Sequence, residues 1–294
     1  MKNIKIMKAI AVLSVTLVCG FWGSVSVAAT CSGTSTGPNE CTKEVTTFKL
    51  KVYEFGLCTD YPTVADRSNC TELFKNTGFD LAISKNASLP LGGSVSLTEG
   101  IYTHAYIIVD NNTYLKSVHE FSADRKDMAG NSGKFCYSNG TDRIENDDFE
   151  LKNVVVTCGD TDASALNKET IKFSTDADAY RNFDIIDFNN EGALSDTDAG
   201  YTKLFALTAA QAASTAWATD HSILAGQKIT PVTISTTTKG LNIAFTVTDN
   251  VSFNFIAHGD KIPSAAGAAC TAGSGKYCIS DVGWMGMQFL VTSN

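Results

Sequence analysis

Hydrophobic and polar residues alternate at every second position through much of this chain. Between residues 48 and 53, Phe48, Leu50 and Val52 alternate with the more polar Lys49, Lys51 and Tyr53. A period of two places alternate side chains on opposite faces of a β-strand, so that one face is buried and the other meets water. The pattern predicts an all-β protein, because it recurs in segments 79–83, 101–109, 241–247, 251–255 and 284–291.

Residues typical of turns separate several of these segments. The pairs Asn-Asn at 111–112, Asn-Gly at 139–140 and Asp-Asn at 249–250 each predict a β-hairpin. The first hairpin would bring His104 and His119 onto neighbouring strands. There they are either a metal-binding pair or two half-buried strand residues.

The sequence favours one short helix at most. Thr208 is suited to cap an Ala-rich helix that ends near Trp217. In such a capping box the side chain of Gln211 would accept a hydrogen bond from the backbone N–H of Thr208. Short strands and frequent turns elsewhere are typical of a disulfide-stapled antiparallel β-sandwich, of the Greek-key, immunoglobulin-like or prealbumin-like kind.

A polar stretch at residues 159–168 is the best candidate for a domain boundary. It separates two predicted β-sandwich domains, residues 30–160 and residues 161–294. Each part falls in the usual size range of a domain, about 100–200 residues.

Residues 1–29 have the organisation of a secretory signal peptide. Three lysines lie in the first eight residues, an apolar run covers 9–21, and small residues occupy 27–29. We expect cleavage before Thr30. No later apolar segment approaches the roughly 20 residues that a transmembrane helix needs, so no transmembrane span is expected after the leader.

Eight of the nine cysteines follow this leader, and they form four couples that are close in sequence. An even number of cysteines behind a signal peptide predicts disulfides and an oxidising location: the periplasm, the cell surface or the extracellular medium. The couples are Cys31/Cys41, Cys58/Cys70, Cys136/Cys158 and Cys270/Cys278. Closeness in sequence favours these pairings, but eight cysteines allow 105 connectivities and the sequence leaves the choice open.

The net charge argues against a nucleic-acid partner. The leader contains three lysines and no acidic residue, so the chain from Thr30 onward has 20 basic and 31 acidic side chains and a formal charge of −11. Binding to DNA or RNA requires a basic surface that displaces counterions from phosphates.

One acidic segment resembles the calcium-binding loop of EF-hand proteins. It places a glycine at position 6 and oxygen-bearing side chains at positions 1, 3, 5, 9 and 12, as convergence on a calcium ion requires. Glutamate at position 5 is longer than usual, and aspartate at position 12 is shorter than the usual glutamate. A solvated surface loop is the alternative. The candidate ligands are Asp187, Asn189, Glu191, Ser195 and Asp198.

Several acidic clusters allow a glycosidase pair, which needs two carboxyl groups at a defined separation with one of them protonated. Solvated surface is the alternative, because all of these clusters lie in polar, turn-rich segments. They are Asp160/Asp162, Asp176/Asp178 and Asp142/Asp147/Asp148.

Three functions follow from these observations. The first is a secreted or cell-surface, non-enzymatic structural or adhesion protein, which could assemble into a filament by pairing of edge or terminal strands such as 284–291. The first alternative is a carbohydrate- or calcium-dependent ligand-binding module that uses Tyr102 and Tyr106, or Trp217, as aromatic platforms. The second alternative is a secreted hydrolase.

Five Asn-x-Ser/Thr sequons would mark surface loops if the protein is glycosylated. They begin at Asn69, Asn86, Asn111, Asn139 and Asn250.

Overall fold

The computed structural model describes residues 29–35, 41–64, 66–83, 98–143, 153–170, 199–212, 222–246, 250–257, 270, 277–284 and 288–293. These residues form strands and turns and contain no helix, so the all-β prediction is confirmed. The strands are β1 (Ala29–Thr30), β2 (Cys41–Lys43), β3 (Thr47–Cys58), β4 (Cys70–Ile83), β5 (Gly100–Asp110), β6 (Asn112–Lys116), β7 (Val118–Lys126), β8 (Ser132–Ser138), β9 (Val156–Gly159), β10 (Asn167–Thr170), β11 (Thr202–Leu207), β12 (Ser222–Ile234), β13 (Leu241–Thr246), β14 (Val251–Ala257), β15 (Tyr277–Trp284) and β16 (Gln288–Ser293).

The largest sheet, which we call the main sheet, is antiparallel and has seven strands. Its order is β10-β6-β3-β5-β12-β11, with β4 also paired to β3. Strand β4 lies along one edge of β3, while β6 and then β5 follow each other along the opposite edge. Strand β3 is therefore the centre of the sheet, and its alternation of apolar and polar residues separates an inner face from an outer face.

The predicted hairpin at 111–112 is wrong. Strands β5 and β6 do not pair with each other, because both run along the same edge of β3. Lys49 opposes Tyr114 and Val52 opposes Val109, so two residues of β3 face four residues at 110–113. The Asn-Asn pair thus forms a bulge in one long, interrupted strand.

Three smaller sheets complete the described structure. Their orders are β1-β2-β14-β15, β13-β16 and β7-β8-β9, and all pairs are antiparallel except β1 with β2. Aromatic rings from β15 and β16 lie on the inner face of the main sheet. Trp284 stacks on Phe48 with ring centroids 4.9 Å apart, and Phe289 meets Phe55 edge-on at 5.5 Å. One large hydrophobic core therefore joins these sheets.

The other two predicted hairpins also differ from the structure. Strand β8 pairs with β9, but Ser138 opposes Val156, so residues 139–155 connect the two strands instead of a two-residue turn. Strands β13 and β14, on either side of residues 249–250, belong to different sheets. Predicted segment 284–291 contains the end of one strand, β15, and the start of another, β16.

A tight hairpin connects β7 and β8, and the sequence patterns missed it. Residues 127–131 form its loop, in which Oδ1 of buried Asp127 accepts hydrogen bonds of 2.9 Å from the backbone N–H groups of Ala129 and Asn131. Its Oδ2 accepts a bond of 3.0 Å from the N–H of Cys158 on β9. An Asp side chain that bonds the backbone in this way stabilises a turn without the Asn-Gly or Asp-Gly pair of a two-residue hairpin.

The predicted helix at Thr208 is wrong in its described part, residues 208–212. The N–H of Ala212 donates to Oγ1 of Thr208 at 3.2 Å, but the N–H of Thr208 also donates to the carbonyl of Ala212 at 2.8 Å. Gln211 has a φ of 61°, which is left-handed and incompatible with a helix. These residues form a closed turn, and residues 213–217 lie outside the described part of the chain.

Strands from both sides of the predicted domain boundary share the main sheet. Strand β12 lies between β5 and β11, and β10 pairs with β6. The division at residue 160 therefore does not separate the hydrogen-bonded sheets. The polar stretch at 159–168 connects β9 to β10 and overlaps the ends of both strands.

Candidate functional site

The calcium-loop residues Asp187, Asn189, Glu191, Ser195 and Asp198 lie outside the described residues, as does Trp217. Where the structure is described, no group of three or more His, Cys, Asp or Glu side chains could hold a metal ion. The proposed aromatic platform of Tyr102 and Tyr106 is wrong, because these residues are only 3% and 2% exposed.

All four cysteine couples form disulfides. Two of them connect residues that lie directly opposite each other on paired strands, Cys58 with Cys70 and Cys136 with Cys158. These bonds confirm the disulfide prediction and indicate an oxidising, extracytoplasmic environment.

A polar cleft lies on the outer face of the main sheet and has a volume of about 640 Å³. This lies within the usual range of ligand pockets, about 300–1,000 Å³. We call it the β3 cleft; it is lined by Lys49, Leu50, Lys51, Asp80, Leu81, Ala82, Asp110, Asn112, Tyr114 and Leu166.

Strand register places the side chains of the β3 cleft. Lys51 of β3 lies opposite Asp80 of β4, and Lys49 lies between Ala82 of β4 and Tyr114 of β6. Alternate residues of one strand point to the same face, so the exposed lysines of β3 and the exposed Asp80 share the outer surface. The alternation of β3 predicted this polar face, but the sequence contained no sign of its partners.

Asp110 forms the fixed floor of the β3 cleft. Its Oδ2 accepts a 3.0 Å hydrogen bond from the hydroxyl of Tyr53, and its Oδ1 accepts bonds from the backbone and side-chain nitrogens of Asn112 at 2.8 and 2.7 Å. The Asn112 Oδ1 in turn accepts a 3.0 Å bond from the hydroxyl of Thr170. The bulge between β5 and β6 is thus held by side chains.

Tyr53 lies close to two carboxylates of this region. Burial, the hydrogen bond to Asp110 and the negative charges of Asp110 and Asp80 raise the pKa of Tyr53 to about 12. Gly78, with a φ of 132°, leaves room for the side chains beside it. A Cβ atom there would lie 2.9 Å from Cδ of Lys51 and 3.3 Å from the Tyr53 ring.

A second cluster on the outer face surrounds the buried carboxylate of Glu54. The hydroxyl of Tyr106 donates to Oε1 at 2.6 Å, Arg67 bonds the same oxygen at 3.1 Å, and Nζ of Lys75 lies 3.1 Å from Oε2. Burial and the nearby Glu54 raise the pKa of Tyr106. Tyr53 is an extra residue of β3 between the pairs Val52–Val109 and Glu54–Ile108, and this bulge brings the carboxylate of Glu54 to the same face.

The segment between Cys58 and Cys70, which we call the 59–69 loop, covers this cluster. Its Tyr61 ring lies 4.1 Å from the buried ring of His104, and its Pro62 fits against Gly226, where a Cβ would lie 2.8 Å from Pro62 Cγ. The imidazole Nδ1 is 2.9 Å from the hydroxyl of Thr103, and Nε2 is buried with no hydrogen-bond partner among the described residues. Burial lowers the pKa of His104 to about 4.

His104 and His119 do not form a pair. His104 lies on β5 against the 59–69 loop, whereas His119 lies on β7 of another sheet, where its Nε2 is 3.0 Å from the carbonyl of Ser32. They are apart because the hairpin that would have joined them is absent.

The acidic pairs proposed for a hydrolase receive no support from the residues that are described. Asp160 and Asp162 are both exposed, and hydrogen bonds from Ser164 lower the pKa of Asp162. A general acid needs the opposite shift. Asp142 is in an ion pair with Lys168 at 2.9 Å. Residues 147, 148, 176 and 178 lie outside the described part of the chain.

Burial distinguishes the sequons. The side chains of Asn111 and Asn250 are 0% and 3% exposed, and Asn139 donates two hydrogen bonds of 3.1 Å through Nδ2. Asn69 is half-buried, and Asn86 lies outside the described residues. Folded protein therefore cannot carry glycans at Asn111 or Asn250.

Comparison with protein-family models, characterised proteins and solved structures finds no match to this chain. Where the structure is described, there is no helix of the length and hydrophobicity that would cross a membrane.

Proposed function

We propose that this protein is a non-enzymatic structural or adhesion protein of the extracytoplasmic space, exported by its leader and assembled through its terminal strand β16. The observation that carries the proposal is the exposed Leu290, which lies on β16 with 53% of its surface accessible. Among the described strands β16 pairs only with β13, and the backbone N–H of Phe289 also donates a 2.6 Å hydrogen bond to Oε1 of Gln227 on β12. An unpaired strand edge is a template for pairing with another chain.

The fold supports this role because disulfides and ion pairs connect its strands. Two disulfides cross paired strands, and Arg143 joins β15 to β10 through ion pairs with Asp281 at 2.5 Å and Glu169 at 3.4 Å. The packing of Trp284 and Phe289 on the main sheet supports the finer proposal that the sheets form a β-sandwich of Greek-key, immunoglobulin-like or prealbumin-like kind.

Light scattering and negative-stain microscopy of the mature protein, purified from its native surface or medium, test the assembly. We expect filaments or large ordered assemblies. The variant Leu290→Lys should reduce them by placing a charge at the contact, while Ile101→Lys is the matched control because Ile101 is 57% exposed on a different sheet. A compact wild-type monomer, or equal effects of the two variants, would contradict the proposal.

N-terminal sequencing of the same material tests export. A mature protein beginning at Thr30 agrees with the leader, whereas an intact leader contradicts it.

A further inference from the structure

The β3 cleft combines a concave shape with polar side chains, several of which make no hydrogen bond within the described structure. Lys49 and Lys51 make no side-chain hydrogen bond or ion pair with any residue of the described ranges, and Asp80 makes no side-chain hydrogen bond there. By contrast, Asp110 and Asn112 are held by neighbours. The cleft therefore has a rigid floor and a rim of available donors and acceptors.

The charges of the cleft restrict the chemistry of a ligand. Two ammonium groups, from Lys49 and Lys51, face two carboxylates, from Asp80 and Asp110, so the lining has no net charge. A compact anion would meet the carboxylates, and a compact cation would meet the ammonium groups. A hydroxyl group suits both, because it donates one hydrogen bond and accepts others.

An aromatic ring completes the lining. Tyr114 is 39% exposed and lies across from Lys49 in the register of β6 and β3. An exposed tyrosine offers an apolar face beside a polar hydroxyl. The face of a pyranose ring, with its C–H bonds, fits such a surface, while its hydroxyl groups reach the polar side chains.

We propose that the β3 cleft binds a neutral polyhydroxylated ligand, a short segment of an uncharged polysaccharide. Tyr114 provides the stacking surface, Lys49 and Lys51 donate hydrogen bonds to sugar hydroxyl oxygens, and Asp80 accepts hydrogen bonds from sugar hydroxyl groups. Asp110, held by Tyr53, is a positioning residue that fixes the shape of the floor. This site is separate from strand β16, so it does not depend on the proposed assembly.

Calorimetric titration of the mature protein tests the inference. The neutral probes are the hexasaccharides of the cello-, malto-, xylo-, manno- and laminari- series; an oligogalacturonate is the anionic probe and a chitosan hexamer is the cationic probe. We expect at least one neutral probe to bind at least about tenfold more tightly than either charged probe. No binding of any neutral probe, or tighter binding of a charged probe, overturns the proposal.

Variants locate the binding. Tyr114→Ala and Lys51→Ala should each lower the affinity for the neutral probe by about tenfold or more. Tyr114→Phe keeps the aromatic ring, so its affinity should stay within about threefold of wild type. Lys134→Ala is the matched lysine control, because Lys134 is exposed on β8 of another sheet. Unchanged binding by Tyr114→Ala with an intact fold places the ligand elsewhere and overturns the assignment. Microscopy of the same variants reports assembly separately.

Discussion

The hydroxyl of Tyr106 donates a 2.6 Å hydrogen bond to Oε1 of Glu54 on the outer face of the main sheet. Both residues are almost completely buried beneath the 59–69 loop. The carboxylate also meets Arg67 and Lys75, so a buried charge is compensated from three sides. This arrangement leads to the first prediction.

Glu54→Gln should lower the free energy of unfolding by about 1.5–3 kcal/mol, the usual contribution of a hydrogen bond to a charged group. The amide keeps the shape of the side chain but loses the negative charge between Arg67 and Lys75. Urea denaturation measures the loss. Glu72→Gln is the matched control, because Glu72 forms an exposed ion pair with Lys75 and should cost less than about 1 kcal/mol. Equal losses would show that burial of Glu54 is unimportant.

Gly56→Ala should destabilise the protein by about 1–3 kcal/mol, as overpacking in a filled core does. A Cβ at Gly56 would lie 2.4 Å from the Tyr106 ring and 2.6 Å from the carbonyl oxygen of Thr71. Gly100→Ala, in a neighbouring strand of the same sheet, meets no atom within 4 Å and serves as control. Thermal unfolding of both variants checks the prediction, which fails if their melting temperatures agree.

Acidification should destabilise the protein partly through His104. Its pKa is about 4 in the folded protein and 6.5 in the unfolded chain, so only the unfolded state takes up this proton between those values. The contribution of neutral His104 to the free energy of unfolding is complete above pH 6.5 and is lost as the pH falls to about 4. Burial is the main cause of the lowered pKa of His104. The positive charges of Lys228 and Lys203 lower this pKa further, whereas the negative charge of Asp60 raises it.

His104→Phe, which retains a ring against Tyr61, should reduce the slope of stability against pH across this window. Burial also lowers the pKa of His119, so some slope should remain. Proton NMR of the imidazole groups distinguishes the two histidines. A His104 resonance that titrates near pH 6.5 in the folded protein is the result that contradicts this account.

At high pH, Tyr53 should lose its proton only near pH 12. Because the pKa of Tyr53 is about 12 in the folded protein and 10 in the unfolded chain, only the unfolded chain loses this proton between those values. The contribution of protonated Tyr53 to stability is therefore complete below pH 10 and is lost as the pH rises to about 12. Spectrophotometric titration of phenolate absorbance measures this step, and Tyr53→Phe should remove it. Persistence of the step in that variant would assign it to another tyrosine.

Removal of the disulfides should cost stability in the order of the loops they close. Cys136 and Cys158 are 22 residues apart, whereas Cys270 and Cys278 are 8 apart. Each double Ala variant should lose about 2–4 kcal/mol, and the longer loop should cost roughly 1 kcal/mol more, because closing it removes more entropy from the unfolded chain. Urea denaturation compares them; a larger loss for the shorter loop would contradict the entropic explanation.

Sequence periodicity identified β3, β4, β5, β13 and β14 because the alternation of buried and exposed side chains is a local property of a strand. Turn chemistry was a poorer guide. The Asn-Asn pair at 111–112 occupies a bulge, since both flanking segments find hydrogen-bond partners along β3 instead of each other. The hairpin between β7 and β8 was missed because Asp127 closes it through bonds to backbone and to β9.

The sequence by itself determined the all-β class and favoured disulfides between cysteines close in sequence, because side-chain alternation and cysteine spacing act over short distances along the chain. The structure established that these four couples form the disulfides. Only the tertiary structure decided that β12 separates β5 from β11, and that Lys51, Asp80 and Tyr114 line one cleft. These residues come from three strands whose pairing depends on long-range hydrogen bonds and on burial against a common core. No local pattern encodes which strands become neighbours, so the cleft emerges only when the whole sheet has formed.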